Sequence, residues 1–294
     1  APVIDPALFD CTATKAPVRV NPVPIACATD ASCTTHLVSG HRGAGGELGV
    51  IAPEDTVAAV RAAIVLGIDF IETDPRPTKD GHLVNVHDTD VNRTTTGKGD
   101  VDTMTLAEIQ ALTLITDEFA GDFSCEHIPT LEEVLAAAKG KVHVLVDANK
   151  TDRVDLLVGA IQSTGTVDWA IFDTSSVDKI DQALALEPAL HTMLRVTSTD
   201  DLAAQLAHFA AHPPVMVEIE KGADTQALIA AIHAANFQVH QSLAWLPSMD
   251  ANYIHDMLFV RAWLPAWQSA LTDSRFAATF RDSIPRVEAA ATTI

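Results

Sequence analysis

Short apolar segments alternate along most of the chain with longer stretches whose apolar residues recur at helical spacing. The short segments are rich in Val, Ile and Leu, which is typical of strands buried in a parallel sheet. The longer stretches predict amphipathic helices. The predicted strands cover residues 37–40, 68–71, 83–86, 142–146, 169–172, 192–196, 215–220 and 237–243. Because helical stretches separate most of these strands, the pattern predicts an α/β fold, a (β/α)8 or TIM barrel.

Local signals mark where several helices begin. Pro53 suits the first turn of a helix, because its fixed φ angle is already helical. Thr105 with Glu108, and Thr130 with Glu133, have the spacing of a capping box. Further helices are predicted over 152–164, 176–186, 199–211 and 224–235, and a terminal one from about residue 272, with Phe276, Phe280 and Ile284 on one face.

Chemically reactive side chains follow the first three predicted strands. His41 follows the first, Glu72 and Asp74 the second, and His87 the third. The C-terminal strand ends of a barrel meet at one face, so these side chains are expected to lie close together. Glu72 and Asp74 share a face of their strand, and two adjacent carboxylates repel unless a cation, most simply a hard divalent one, lies between them. The alternative is a solvated strand end.

This arrangement indicates phosphoester cleavage. Two histidines flanking a metal ion suit general acid and general base catalysis, and the metal would neutralise phosphate charge. Arg42, next to His41, has the donor geometry to bind a phosphate through two parallel hydrogen bonds.

Later strands carry further charged candidates. Asp147 follows the predicted fourth strand, with Lys150 behind it near the expected phosphate position. Glu218 and Glu220 share a face of another strand and compete with Asp147 for the role of third metal ligand. The alternative for that pair is a salt-bridged barrel end that includes Lys221.

The cysteines are concentrated near the start of the chain. Cys11, Cys27 and Cys33 lie among prolines in an extension predicted over residues 1–36, and Cys125 lies in the single barrel domain predicted over 37–294. Every complete pairing of the cysteines joins Cys125 to the extension. Disulfides imply an oxidising compartment, so a secreted or periplasmic protein is expected. Free thiols are the alternative, and the spacings fit no zinc-finger pattern.

Charge and hydropathy exclude several classes of partner. The formal net charge is −20, from 19 basic and 39 acidic side chains, and such a surface repels nucleic acid and anionic membranes. An anionic substrate therefore needs local help from a metal, Arg42 and a lysine. No apolar run approaches the roughly 20 residues of a spanning helix, so no stable membrane anchoring is expected. Ala1 at the start is typical of a mature chain after processing.

The ordered motifs from Gly40 to about Lys150 resemble those of the glycerophosphodiester phosphodiesterase family. Glu72 and Asp74 match the family's metal-binding Glu and Asp. The other matching segments are His41-Arg42-Gly43-Ala44, Ala52-Pro53-Glu54-Asp55-Thr56, Thr78-Lys79-Asp80-Gly81, His87-Asp88, Arg93-Thr94-Thr95 and Ile128-Pro129-Thr130-Leu131-Glu132-Glu133. The resemblance implies a metal-dependent barrel enzyme that cleaves phosphodiesters to glycerol phosphate and an alcohol.

The resemblance also implies roles for individual residues. His41 and His87 would be catalytic, Arg42 and Lys150 would bind phosphate, and a single Ca²⁺ or Mg²⁺ would lie on Glu72, Asp74 and, ranked before the Glu218–Glu220 pair, Asp147. Which histidine is the acid is left open. The substrate would be a small phosphodiester; the oligomeric state is not predicted.

Departures from the family keep other functions open. Asp147-Ala148-Asn149-Lys150 replaces the family's Glu-Ile-Lys, and an Asp there is similar to the sphingomyelinase D enzymes. The family's Trp-Thr-Val-Asn strand and closing Gly-Ile-Ile-Thr-Asp segment have no clear counterpart, and Val239-His240-Gln241-Ser242-Leu243 takes the place of the former. His240 is a candidate for the pocket lining.

Two alternative functions follow. One is a phospholipase D-like lyase acting on lysophospholipid or sphingomyelin, which needs an apolar groove. The groove could come from Trp245, Trp263, Trp267, Leu243, Leu246 and Leu264, although packing of C-terminal helices on the barrel also explains these residues. The other is a non-catalytic binding protein on the same barrel, which the presence of both histidines and both carboxylates disfavours.

Overall fold

The computed structural model describes residues 5–28, 38–44, 51–220, 225–235, 237, 239–242 and 257–260. Its centre is a closed barrel of parallel strands, in which the last strand pairs with both the first strand and the strand before it. The barrel strands are β1 (Val38–Gly40), β2 (Phe70–Thr73), β5 (His143–Asp147), β6 (Ala170–Thr174), β7 (His191–Val196), β8 (Met216–Ile219), β9 (Val239–Ser242) and β10 (Met257–Val260). The predicted (β/α)8 fold is confirmed.

The predicted third barrel strand is wrong in its placement. It forms β4 (Leu83–Asn85), which pairs antiparallel with β3 (Pro75–Pro77) outside the barrel. A parallel crossover takes about a dozen or more residues, and the connection from β2 is shorter than that and turns at Gly81, where φ is 84°. Val84 is buried in a small cluster separate from the barrel. The place that β4 was predicted to fill among the eight barrel strands is taken by β10, which was not among the predicted strands.

The helices surround the barrel and lie close to their predicted ranges. They are α1 (Val57–Val65), α2 (Leu106–Gln110), α3 (Leu131–Ala138), α4 (Val154–Thr164), α5 (Val177–Leu186), α6 (Thr199–His208) and α7 (Thr225–Ala234). Both predicted capping boxes are confirmed at α2 and α3. Helix α1 starts later than predicted from Pro53, because Asp55 adopts a positive φ of 56° and Thr56 is the N-cap. None of the helices in the described ranges has the length and hydropathy of a membrane-spanning segment.

The described side chains inside the barrel form two layers. An apolar layer is formed by side chains that pack together apart from the helix–sheet core: Phe70, Leu145, Ile171, Met193 and Met216. Side chains two residues apart on a strand face the same way, so the next inward layer is charged. This charged layer consists of Glu72, Asp147, Asp173, Arg195 and Glu218.

The N-terminal extension covers the opposite, N-terminal end of the barrel. Val23, Ile25 and Cys27 pack against the apolar layer. His143 on β5 bonds through Nε2 to the carbonyl of Val23 at 2.8 Å, and burial lowers the pKa of this histidine to about 4. The extension therefore completes the core of the barrel.

A disulfide joins the extension to the barrel. Cys11 is bonded to Cys125, with a Cα–Cα distance of 5.8 Å, which confirms the predicted link between Cys125 and the extension. None of the cysteines in the described ranges is free.

Candidate active site

The turn after β1 is hydrogen-bonded to the end of β2. Its Gly43 has a φ of 83°, and a Cβ atom there would lie 2.7 Å from the side chain of Ala59, so only glycine fits. Gly43 donates its N–H to the carbonyl of Glu72 at 3.1 Å, and Arg42 donates its N–H to Glu72 Oε2 at 3.1 Å. The His-Arg-Gly turn thereby holds the Glu72 carboxylate and places His41 beside it, with His41 Nε2 3.9 Å from Glu72 Oε2.

Three buried carboxylates meet at the C-terminal end of the barrel. Glu72, Asp74 and Asp147 each offer an oxygen, and these oxygens lie within 4.8 Å of one another; we call this group the acidic cluster. Burial and the charges of Asp74, Asp55 and Asp147 raise the pKa of Glu72 well above its usual range. Asp74 Oδ2 accepts no hydrogen bond from any residue in the described ranges. Concentrated, buried oxygens of this kind fit a hard divalent cation.

A short turn after β5 orients Asp147 and Lys150. Asn149 donates from its backbone N and from Nδ2 to Asp147 Oδ1, at 2.7 and 2.8 Å, which leaves Oδ2 directed at cations. The turn Ala148–Lys150 is a 3₁₀ helix, whose side chains repeat every three residues, so Lys150 returns above Asp147. Lys150 Nζ lies 3.5 Å from Asp74 Oδ1 and 3.9 Å from Asp147 Oδ2. The family's Glu-Ile-Lys has one residue between the acidic residue and the lysine, whereas this chain has two. The 3₁₀ turn accommodates the extra residue and keeps Lys150 beside Asp147.

Arg42 is enclosed rather than open to the barrel mouth. Its side chain is 1% exposed, with Nη1 3.0 Å from Glu54 Oε1 and Nε 3.4 Å from Asp74 Oδ2. Although burial lowers the pKa of Arg42, the charges of Glu54, Asp55 and Asp74 outweigh it and raise that pKa overall. Contact between Arg42 and a phosphate stays a prediction, and it requires the guanidinium to leave part of this environment.

His87 follows the β3–β4 hairpin and is linked to the His-Arg-Gly turn through ion pairs. Its Nδ1 lies 3.0 Å from Asp88 Oδ1, and Arg93 donates to Asp88 Oδ2 at 2.7 Å and to Glu54 Oε1 at 2.6 Å. Because Glu54 also binds Arg42, one chain of ion pairs connects the His-Arg-Gly turn to His87. Burial raises the pKa of Asp88, but the bonds from Arg93 and His87 outweigh it and lower that pKa to about 2. Asp88 is therefore an anion that orients His87.

Asp173 and Arg195 are charged groups beside the site that were not predicted. Arg195 binds both oxygens of Asp173 and lies 3.7 Å from Glu218 Oε2. Burial, then the charges of Glu218 and Asp147, raise the pKa of Asp173 to about 7 against the pull of Arg195. The sequence contained a signal for both residues. Asp173 lies two residues after Ile171 and Arg195 two residues after Met193, so each shares a strand face with an apolar side chain that points into the barrel.

The Glu218–Glu220 pair does not join the acidic cluster. Within the described ranges, the cluster contains Glu72, Asp74 and Asp147, and Glu218 is paired with Arg195. Lys221, the expected salt-bridge partner, lies outside the described residues. His240 on β9 is in register with Glu218 on β8, but the side chain of His240 is not among those that the structure describes. The predicted terminal helix and the Trp and Leu residues proposed for an apolar groove also lie outside it.

Fold and site together define a (β/α)8 barrel protein with an acidic cluster at its C-terminal face. The model of the glycerophosphoryl diester phosphodiesterase family matches residues 41–247, and the chain therefore belongs to this family. The predicted resemblance is confirmed.

Individual relatives match over different lengths. A glycerophosphodiester phosphodiesterase from Caldanaerobacter subterraneus is 48% identical over 98 residues, which span 33% of this chain and 38% of that protein. The chain thus matches well under half the length of that relative. A glycerophosphoryl diester phosphodiesterase from Parabacteroides distasonis has the same fold, with a TM-score of 0.70 at 19% identity over 91% of this chain and 94% of that one. A phosphodiesterase from Oleispira antarctica was solved with the product sn-glycerol-3-phosphate. Its TM-score is 0.63 at 24% identity, over 81% of this chain and 97% of that one.

Proposed function

We propose that this protein is a metal-dependent hydrolase that cleaves glycerophosphodiesters to glycerol phosphate and an alcohol. The observation that carries the proposal is the acidic cluster, whose oxygens lie within 4.8 Å of one another between His41 and Lys150. Membership of the glycerophosphoryl diester phosphodiesterase family supports the same reaction.

The proposed cofactor is one divalent cation, Ca²⁺ or Mg²⁺. Glu72, Asp74 and Asp147 would hold it, because carboxylate oxygens are the ligands that both ions prefer. When bound, the cation would neutralise charge on the phosphate and act as a Lewis acid. Lys150, beside two of these carboxylates, would bind a phosphate oxygen.

The two histidines would move the protons. We assign the general acid to His87, because Asp88 Oδ1, 3.0 Å from Nδ1, orients the ring and leaves Nε2 available to the leaving alcohol. His41, with Nε2 3.9 Å from Glu72 Oε2, would accept the proton of the attacking hydroxyl. The attacker is water or the glycerol hydroxyl of the substrate itself, in which case a cyclic phosphate forms first.

A substrate panel assayed with and without chelator tests this function. Glycerophosphocholine and similar soluble diesters should be hydrolysed, EDTA should abolish the activity, and added Ca²⁺ or Mg²⁺ should restore it. Turnover confined to lysophospholipid or sphingomyelin micelles would favour the lyase alternative. No turnover of any diester, with metal bound, would favour a binding protein.

We also propose that the protein works in an oxidising compartment, secreted or periplasmic. The Cys11–Cys125 disulfide supports this, because such bonds persist where thiols are not kept reduced. Mass spectrometry of a non-reduced digest, from protein purified from its native compartment, should contain a peptide bridged at Cys125. Free thiols in that preparation would contradict the proposal.

A further inference from the structure

Arg195 is a cation held at a fixed orientation in the charged layer. It lies near the end of β7 and is held by Asp173 on β6 through Nε at 2.7 Å and through Nη2. The Asp173 side chain is 1% exposed, whereas that of Arg195 is 18% exposed. A guanidinium is not deprotonated in proteins, so Arg195 is a fixed cation.

One edge of this guanidinium keeps unused donors. The paired edge, formed by Nε and Nη2, faces Asp173. No residue in the described part of the chain accepts a hydrogen bond from Nη1 of Arg195. Since a guanidinium carries five N–H donors in a rigid plane, the edge formed by Nη1 and Nη2 can still bind two oxygens of one group.

The free edge lies beside the acidic cluster. Arg195 Nη2 is 3.6 Å from Asp147 Oδ2, and Lys150 Nζ is 3.9 Å from the same oxygen. Two partly exposed cations therefore flank one carboxylate oxygen of the cluster. Arg42, which also lies beside the cluster, is 1% exposed and already bound to Glu54. Arg195 is thus the better placed fork for an anion that enters the barrel mouth.

We infer that Arg195 is a binding residue for the phosphate group of the substrate. Its Nη1 and Nη2 atoms would donate two parallel hydrogen bonds to non-bridging phosphate oxygens, the geometry that suits an arginine fork. Lys150 would bind from the other side of Asp147. The inference rests on the proposed phosphodiester substrate and names a residue that motif comparison does not reach, since Arg195 lies beyond the matching motifs.

Direct binding of inorganic phosphate tests the assignment without any need for turnover. Isothermal titration of the whole protein, with Mg²⁺ present, should give weaker phosphate binding for Arg195→Gln by about 10- to 100-fold, the usual loss for a charge-assisted bond. Arg195→Lys keeps the charge but not the fork and should fall between wild type and Arg195→Gln. Arg153→Lys is the matched control, because Arg153 binds Asp155 through the same two nitrogens on the protein surface. Its phosphate affinity should equal that of the wild type.

A double variant distinguishes two possible roles of Arg195: binding the phosphate, or only pairing with the buried Asp173. Arg195→Gln alone leaves Asp173 buried without its partner, which lowers stability. Arg195→Gln with Asp173→Asn removes both charges and should recover thermal stability while phosphate binding stays weak. Recovery of wild-type phosphate affinity in the double variant would overturn the inference. So would a wild-type protein that binds no phosphate at millimolar concentrations. A wild type that binds phosphate but hydrolyses no diester would overturn the proposed function and leave Arg195 assigned.

Discussion

Replacing either His41 or His87 by alanine is expected to lower turnover of an ordinary diester by at least about a hundredfold, since general acid or base catalysis typically contributes ~10²–10⁴ in rate. A diester's alcohol leaves as an unstable alkoxide unless a proton arrives in step. An acid and a base on opposite sides of the phosphate meet that need. The two histidines come from separate elements, the turn after β1 and the loop after β4.

The leaving group distinguishes the two roles. A nitrophenyl diester needs no proton on its leaving group, so it should partly rescue His87→Ala and not His41→Ala. Rescue of His41→Ala alone would exchange the roles. Equal insensitivity of both variants to the leaving group would remove the acid–base assignment altogether.

His208→Ala is the matched control for these variants. His208 on α6 lies 2.9 Å from an oxygen of Asp181, much as His87 lies beside Asp88, but on the outer surface of the barrel. Its turnover should equal that of the wild type. Metal content must be measured in each variant, because His41 contacts Glu72.

Residues close in sequence were the predictable part of the site. Alternation along β2 predicted that Glu72 and Asp74 share a face, and both belong to the acidic cluster. The capping boxes at Thr105 and Thr130 were predictable because their partners lie only three residues away. Local spacing determines these features, so a single sequence contains the information.

Strand placement was less predictable. The segment at β4 has the apolar pattern of a barrel strand, yet it is buried against α2 and the loops rather than in the barrel. Its pattern reports burial and not which layer buries it. The run Met257–Val260 is short, and a short apolar run does not distinguish a strand from a buried helix segment. The number of barrel strands was therefore right while its membership was wrong.

Contacts between distant strands were the least predictable. Enclosure of Arg42 depends on Glu54 and Asp74, which arrive from a turn and from the end of β2. The pairing of Arg195 with Asp173 depends on the register between β6 and β7. A sequence motif identifies candidate charged residues. Which of them form ion pairs depends on the register between strands, and a single sequence does not contain that information.

Removing one charge from the acidic cluster is expected to have opposite effects on metal binding and on metal-free stability. Glu72→Gln and Asp74→Asn preserve size and should abolish tight binding of Ca²⁺ or Mg²⁺, measured by isothermal titration calorimetry, together with activity. Asp147→Asn should weaken binding. Because burial and the charges of Asp74, Asp55 and Asp147 disfavour a charged Glu72 carboxylate, the Glu72→Gln variant should melt at a higher temperature than the metal-free wild type.

Added metal should then reverse that order of stability. A ligand that binds only the folded state stabilises it by about 2.7 kcal/mol at a hundred times its Kd, so the wild type should gain thermal stability and the Glu72 and Asp74 variants should not. Glu218→Gln is the matched control, because Glu218 is a buried carboxylate of the charged layer that lies outside the cluster. It should bind metal as the wild type does. If Asp147→Asn is silent while Glu218→Gln weakens metal binding, then Glu218 and not Asp147 is the third ligand, and the register of β8 rather than that of β5 completes the site.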